Sequence, residues 1–246
     1  MKKSFVVALL LFTGFFFGQE SSDKYIIKKA IEFLKVKEED LLSDKICLKV
    51  IPNQKEKVII LLPVKINLDP ECDYCFDIDN NILVWNKSTK SIEKKYTKKA
   101  EWFSDAMYLD ELKIDTGLYY LNKSTRAFGI RYSFGGSSRV NPFGSDSINL
   151  YYFKNNQIVE VLNNFELERL NGENNGDCAN SSYETSKSVF IISDKLTTKF
   201  NDITVKTKMK DYSLDEDCEK EKIKKESTKI SVLKFDEKQH KYVLKQ

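Results

Sequence analysis

From Ile46 to the C-terminus, apolar and polar residues alternate with a period of two, and turn residues interrupt the alternation every 8–12 positions. That pattern is the mark of half-buried strands. It predicts strands at about 46–51, 56–68, 73–78, 82–86, 91–96, 109–115, 118–122, 125–134, 147–153, 157–170, 184–193, 202–212, 228–236 and 240–245. Asn53-Gln54-Lys55, Asp79-Asn80-Asn81 and residues 87–90 supply punctuation, and Asn155-Asn156 and Asp236-Glu237-Lys238 read as tight hairpin tips. Residues 97–108 are ambiguous. The polar stretches 171–182 and 214–229 read as solvated connections. Many short strands at even spacing imply a mainly β protein. Its antiparallel meanders would form a sandwich, an open barrel or a propeller-like sheet set. No internal repeat is visible.

The period changes ahead of Ile46. Ile27, Ile31, Leu34 and Leu41 make one apolar stripe at helical spacing, which predicts a single N-terminal helix over 22–44 with Ser22 as its N-cap. The stripe weakens near residues 37–40. Further upstream, Met1-Lys2-Lys3 precedes an uncharged apolar run from Ser4 to Gly18. Fifteen residues are too few for an ordinary membrane span of about 20, and the layout is that of a secretory signal peptide over 1–19. No second run of spanning length follows. No Pro/Gly/Ser linker divides 20–246, so it is expected to form one exported domain.

Composition narrows the partners. Lysines and acids are interspersed and nearly balanced, so the chain carries no strong field for nucleic acid or anionic lipid. An exported chain permits disulfides. Cys178 and Cys218 both lie in polar loops and are expected to pair; Cys72 and Cys75 form either a local disulfide or a redox pair; Cys47 is left over. One His and no second ligand pair argue against zinc, and no cofactor or metal is expected.

Catalytic signatures are missing. The one His, His240, falls in an expected strand near the C-terminus. Gly135-Gly136-Ser137-Ser138 lacks the second Gly of a nucleophile elbow, and no Walker or dinucleotide fingerprint occurs. Asp77 to Asn81 begins like a calcium loop, but Ile82 and Ser88 stand where Gly and Glu belong, so a turn is the better reading. Acid pairs such as Asp110/Glu111 and Asp77/Asp79 are frequent by chance among 37 acids.

One stretch stands apart. Of four Arg in the chain, Arg126, Arg131 and Arg139 lie within 14 residues, between Gly117 and Gly144, together with five of the nine Gly. Alternation places Arg131 on a face with Ala127, Gly129 and Ser133, small residues that would leave room above it. Gly135 to Ser138 could present a concave run of N–H groups. Arg126, Arg131, Ser137, Ser138, Arg139 and Asn141 are therefore candidates for gripping an anionic or polar ligand at 131–141. The plainer reading is that these guanidinium groups pair with the protein's own acids and carbonyls.

The segments Ile114-Asp115-Thr116, Arg126 to Arg131, Ser137 to Pro142 and Leu150-Tyr151-Tyr152, with their RAFG…SSRxNP core, resemble a family of exported proteins of Gram-negative, Bacteroidota-like bacteria. The likeness spans about residues 105–195. That family carries no assigned activity, so the resemblance implies an exported, cell-envelope setting and supplies no catalytic residue. The chain is expected to be a periplasmic or secreted binding protein whose partner is an envelope glycan, an anionic ligand or another protein. The alternative is a secreted hydrolase whose carboxylates the sequence alone does not pair.

Overall fold

The computed structural model describes residues 22–176, 178 and 180–245. The expected signal peptide at 1–19 lies outside the described residues. Helix α1 covers 22–34 and packs on a four-stranded antiparallel sheet of β1 (Cys47–Ile51), β2 (Gln54–Ile66), β3 (Phe76–Asn86) and β4 (Ser91–Ser104). A second sheet follows as one continuous meander of eight strands. They are β5 (Met107–Tyr120), β6 (Arg126–Gly136), β7 (Phe143–Lys154), β8 (Gln157–Glu173), β9 (Ser182–Leu196), β10 (Asn201–Leu214), β11 (Glu221–Asp236) and β12 (Lys241–Lys245). Every strand pairs antiparallel with its neighbour in sequence, and neither sheet closes into a barrel.

The helix is shorter than its apolar stripe. Lys35 takes a left-handed φ of 56° and ends it, and two short 3-10 turns carry the chain on. Leu41 still reaches the core, but by bridging to Val64 as extended chain. Ser22 already lies inside the helix rather than capping it.

Burial on both faces explains the unbroken apolar run of β2. Val58, Ile60, Leu62 and Val64 face α1 through Ile26 and Ala30, while Ile59 and Leu61 face the second sheet. There they meet Leu112, Ile114, Phe128, Ile130 and Tyr151. The opposite face of β6–β8 supplies Ala127, Ile148, Leu150 and Leu162. The eight-stranded sheet coils so that Phe200, Ile203, Val205, Leu233, Phe235 and Tyr242 close over it. This coiling returns β12 to β8, where Lys241 meets Glu160.

Three expectations need correction, and one ambiguity is resolved. Asp79-Asn80-Asn81 is no turn; it is the buried middle of β3, which fuses two expected strands. The ambiguous stretch after 96 is strand to Ser104, and much of 214–229 is the exposed first half of β11. There the free edge beyond β12 carries Lys222, Lys224, Lys225 and Lys229, charge that discourages edge-to-edge pairing. His240 sits in the β11–β12 turn with φ 55°. Cys72 and Cys75, and Cys178 and Cys218, lie at disulfide distance with Cα separations of 5.2 and 5.3 Å. Cys47 is free, its thiol donating to the carbonyl of Leu112 at 3.1 Å.

Candidate functional site

The arginine-rich stretch unfolds into three separate environments. Around Thr116–Leu118, β5 bulges away from β6, between Asp115↔Gly129 and Tyr119↔Ala127. A bulge frees backbone carbonyls from the ladder, and Arg126 takes them up. Its Nη2 donates to Thr116 O at 2.5 Å and Gly117 O at 3.0 Å, and its Nε to Gly117 O at 3.1 Å. Asp115 holds the other side of the same bulge, accepting from Gly117 N–H and from the Tyr119 hydroxyl, whose pKa burial and this carboxylate push up.

Arg131 forms a two-pronged ion pair with Asp146 on the adjacent strand. This bond, ahead of the cost of burial, holds its pKa up. Of the small residues expected to leave room above Arg131, Gly129 leaves none: a Cβ there would lie 2.7 Å from Ile148 Cδ1. Glycine is needed so that this core isoleucine can approach.

Gly135 and Gly136 are the last rungs of β6, paired with Tyr108 and Met107, so their amides do not form the expected concave run. Ser137, Ser138, Arg139 and Asn141 occupy an exposed turn that Ser138 Oγ caps by accepting from Asn141 N–H. Arg139 makes no ion pair among the described residues. The six candidates are thus not gathered in one place.

A different group of side chains is gathered, between the two sheets, by two bulges that face one another. In the first, the β3–β4 register jumps from Ile78↔Trp102 to Asn80↔Lys98, so Asp79 stands opposite Lys99, Ala100 and Glu101. In the second, β7–β8 jumps from Ile148↔Phe165 to Leu150↔Leu162, so Asn149 stands opposite Asn163 and Asn164. The devices match. Ala100 and Asn164 adopt left-handed φ values of 45° and 49°, conformations that cost non-glycine residues about 1–2 kcal/mol. In each case the lone residue opposite caps the freed amide: Ala100 N–H donates to Asp79 Oδ1 at 3.0 Å, and Asn164 N–H to Asn149 Oδ1 at 2.5 Å.

The bulges dock through their side chains. Lys98 Nζ donates to Glu101 Oε1 (2.9 Å), Asn163 Oδ1 (2.7 Å) and Glu160 Oε1 (3.3 Å). Asn149 Nδ2 donates to Glu101 Oε1 at 3.0 Å and to the buried Tyr151 hydroxyl at 3.3 Å. Lys241 Nζ donates to Glu160 Oε2 at 2.8 Å.

The two carboxylates differ. Glu160, 7% exposed at its side chain, has a lysine on each oxygen. Glu101, 4% exposed, has donors on Oε1 only; Oε2 is buried without a partner. Desolvation pushes its pKa up, against the pull of Lys98 and Asn149 and with a further push from Glu160. Trp102 Nε1 and Asn80 Oδ1 are likewise buried and unpartnered. Buried polar atoms are nearly always paired, so three orphans in one cluster are informative.

Beside the cluster opens a cleft of about 250 Å³ bordered by Lys98, Glu101, Trp102, Tyr132 and Asn164. Tyr132 lies with its ring 5.2 Å from that of Trp102 and donates its hydroxyl to Asn164 Oδ1 at 2.8 Å.

Apart from Asp79, weighed as half of an acid pair and as part of a calcium-like turn, none of these residues was singled out by sequence reasoning. The available signal was polar residues where alternation calls for apolar ones, Asn149 in SINLYYF and Glu160 in QIVEVL, and the Asp79-Asn80-Asn81 run misread as a turn. No cluster of three or more His, Cys, Asp or Glu capable of holding a metal occurs among the described residues. Compared with family models, with curated proteins and with solved structures, the chain matches none.

Proposed function

We propose that this is an exported, periplasmic or secreted binding protein without catalytic activity, and that it holds its ligand in the cleft beside the paired bulges. Export is supported by the signal-like N-terminus and by two cysteine pairs at disulfide distance, which suit an oxidising compartment. The observation that carries the binding reading is an open cleft of about 250 Å³ bordered by Glu101, Tyr132, Asn163 and Asn164 and held in shape by two strained bulges. Bulges of this kind re-aim side chains and gather near functional sites.

The carboxylate pair also raises a hydrolytic reading, in which one acid protonates and the other attacks or activates water. Glu160 argues against it. Both its oxygens are occupied by lysines, and it does not border the cleft. A group so committed is a fixed counter-charge rather than a base poised to move a proton. The loop 131–141 retains only Arg139, Ser138 and Asn141 for an anion, since Arg126 and Arg131 are engaged within the protein.

The test is a binding panel on the disulfide-intact protein, spanning neutral glycosides, small anions and short peptides and read by thermal shift and calorimetry. Binding that Glu101→Gln abolishes supports the cleft. Binding that Arg139→Ala abolishes and Glu101→Gln spares would move the site to the loop, and turnover of any bound compound would restore the hydrolase.

A further inference from the structure

We propose a second site, independent of the cleft at the paired bulges: a cleft around Arg126 that takes the carboxylate of a small, partly apolar organic acid. It lies at another seam of the two sheets, between the β1–β2 turn at 51–54 and the β5–β6 hairpin at 120–126, and shares no lining residue with the first cleft. Arg126 is the one charged residue on its wall. The carbonyls of Thr116 and Gly117 engage its Nε and Nη2 and so fix the guanidinium, but a carbonyl is a dipole and cancels no charge. Among the described residues Nη1 makes no hydrogen bond and no acid pairs with this arginine. Asp115, on the same bulge, accepts from Gly117 and Tyr119 instead. Arg131 and Arg169 have Asp146 and Glu166, and Arg139 stands in an exposed turn. A half-buried arginine without an acid is the exception, and one fixed cation on an otherwise uncharged wall matches one negative charge. Thr116 and Thr125 border the same cleft, and their hydroxyls make no bond within the protein among the described residues, so each remains able to donate to an anion.

The rest of the wall selects the body of the guest. Pro52, Tyr120 and Phe153 border the cleft, and all three are accessible, Tyr120 at 42%. The Tyr120 ring centroid lies 5.6 Å from the Arg126 guanidinium carbon, so a guest that meets the charge also meets an aromatic side chain. Both walls are shaped without a guest. Asn53 turns β1 into β2 with a left-handed φ of 64°, and Asn122 Oδ1 accepts from the N–H groups of Ser124 and Thr125. A volume of about 380 Å³ falls within the roughly 300–1,000 Å³ of small-molecule sites. Inorganic phosphate suits this wall less well, because it offers no apolar body and brings up to two charges to one cation.

The experiment titrates the disulfide-intact protein near neutral pH with phenylacetate, with neutral phenylacetamide and with inorganic phosphate, read by calorimetry and by amide NMR shifts. The expected result is saturable binding of phenylacetate with shifts at 51–54, 116–126 and 153, about tenfold or more tighter than the other two. Arg126→Gln should remove that advantage. Because Arg126 also caps the β5 bulge, Asn53→Asp supplies a test that leaves it in place. Aspartate is isosteric and tolerates the left-handed turn, and it puts a negative charge on the facing wall; it should weaken phenylacetate severalfold and leave phenylacetamide unchanged. Exposed Lys229→Ala should alter neither. If Arg126→Gln does not fold, Asn53→Asp decides alone.

No binding of phenylacetate, equal binding of acid and amide, or unaltered affinity in Asn53→Asp overturns the inference. Phosphate bound as tightly as phenylacetate would make this a plain anion site and overturn the assignment of an apolar acid. Shifts confined to 98–103, 132–134 and 163–164 would place the acid in the cleft beside the bulges and overturn the second site.

Discussion

Two regions of this protein put polar groups onto a sheet, and they do so to opposite ends. The bend from Gly117 to Gly144 gathers scarce arginines and glycines, yet its groups are mostly satisfied by the protein itself. Arg126 caps the carbonyls of a bulge, Arg131 pairs with Asp146, and Gly129 makes way for Ile148. The paired bulges at 79/99–101 and 149/163–164 are built from ordinary lysine, glutamate and asparagine, yet they leave three buried polar atoms without partners. The lesson is that rare residues mark where geometry is constrained, whereas buried polar atoms left without partners mark where the docking of two sheets costs hydrogen bonds. Evolution can afford the first anywhere; the second is costly and needs a reason.

The sharpest way to break this comparison is to remove its central cation. Lys98→Met leaves Glu101 and Glu160 buried beside each other with one lysine fewer, and should destabilise by about 3–5 kcal/mol in urea unfolding. A loss below about 1 kcal/mol would show that the cluster is more hydrated than its geometry indicates.

Next comes Gly129→Ala. The new methyl collides with Ile148 Cδ1, and a cost of about 1–3 kcal/mol is expected. A neutral or stabilising change would restore the open space first read above Arg131.

Within the bend itself, Arg131→Ala should cost about 1 kcal/mol by uncoupling Asp146, and Arg139→Ala less than about 0.5 kcal/mol. The reverse order would mean that the turn at 137–142 is anchored in some other way.

The smallest effect concerns acidity. The raised Glu101 pKa means that the folded protein holds this proton more tightly than the unfolded chain. Its contribution is therefore most favourable at low pH and is lost as pH rises from the ordinary glutamate range through the raised value. Measured against Glu101→Gln, the wild type should lose stability across that window and hold a constant difference above it. A flat difference from pH about 4 to 8 would place Glu101 in a wetter setting than its burial implies.

Much of the scaffold was legible along the chain. The period of two marked every strand from Cys47 to Lys245 at least in part, Asn155-Asn156 does turn β7 into β8, and Cys178 and Cys218 do lie together. These features rest on local chemistry: side chains alternate across a pleat whatever their partners, and asparagine accepts the left-handed backbone of a tight turn. The helix was overextended because the apolar stripe continues past Lys35, where the backbone leaves the helix but the side chains still point inward.

The candidate site was decided by tertiary structure alone. A bulge is a property of two strands in register, so neither TKKAEW nor LNNFEL announces one. Asp79-Asn80-Asn81 reads as a turn because isolated asparagine favours turns. It is a strand because the second sheet covers it and Tyr151, Lys99 and Ala100 supply its hydrogen bonds. The amino-acid order determined which residues alternate and which cysteines were free to meet. Only the docking of one sheet on the other determined that Glu101 and Trp102 would be shut away from water with their hydrogen bonds incomplete, because desolvation depends on what comes to lie above a side chain and not on its neighbours along the chain.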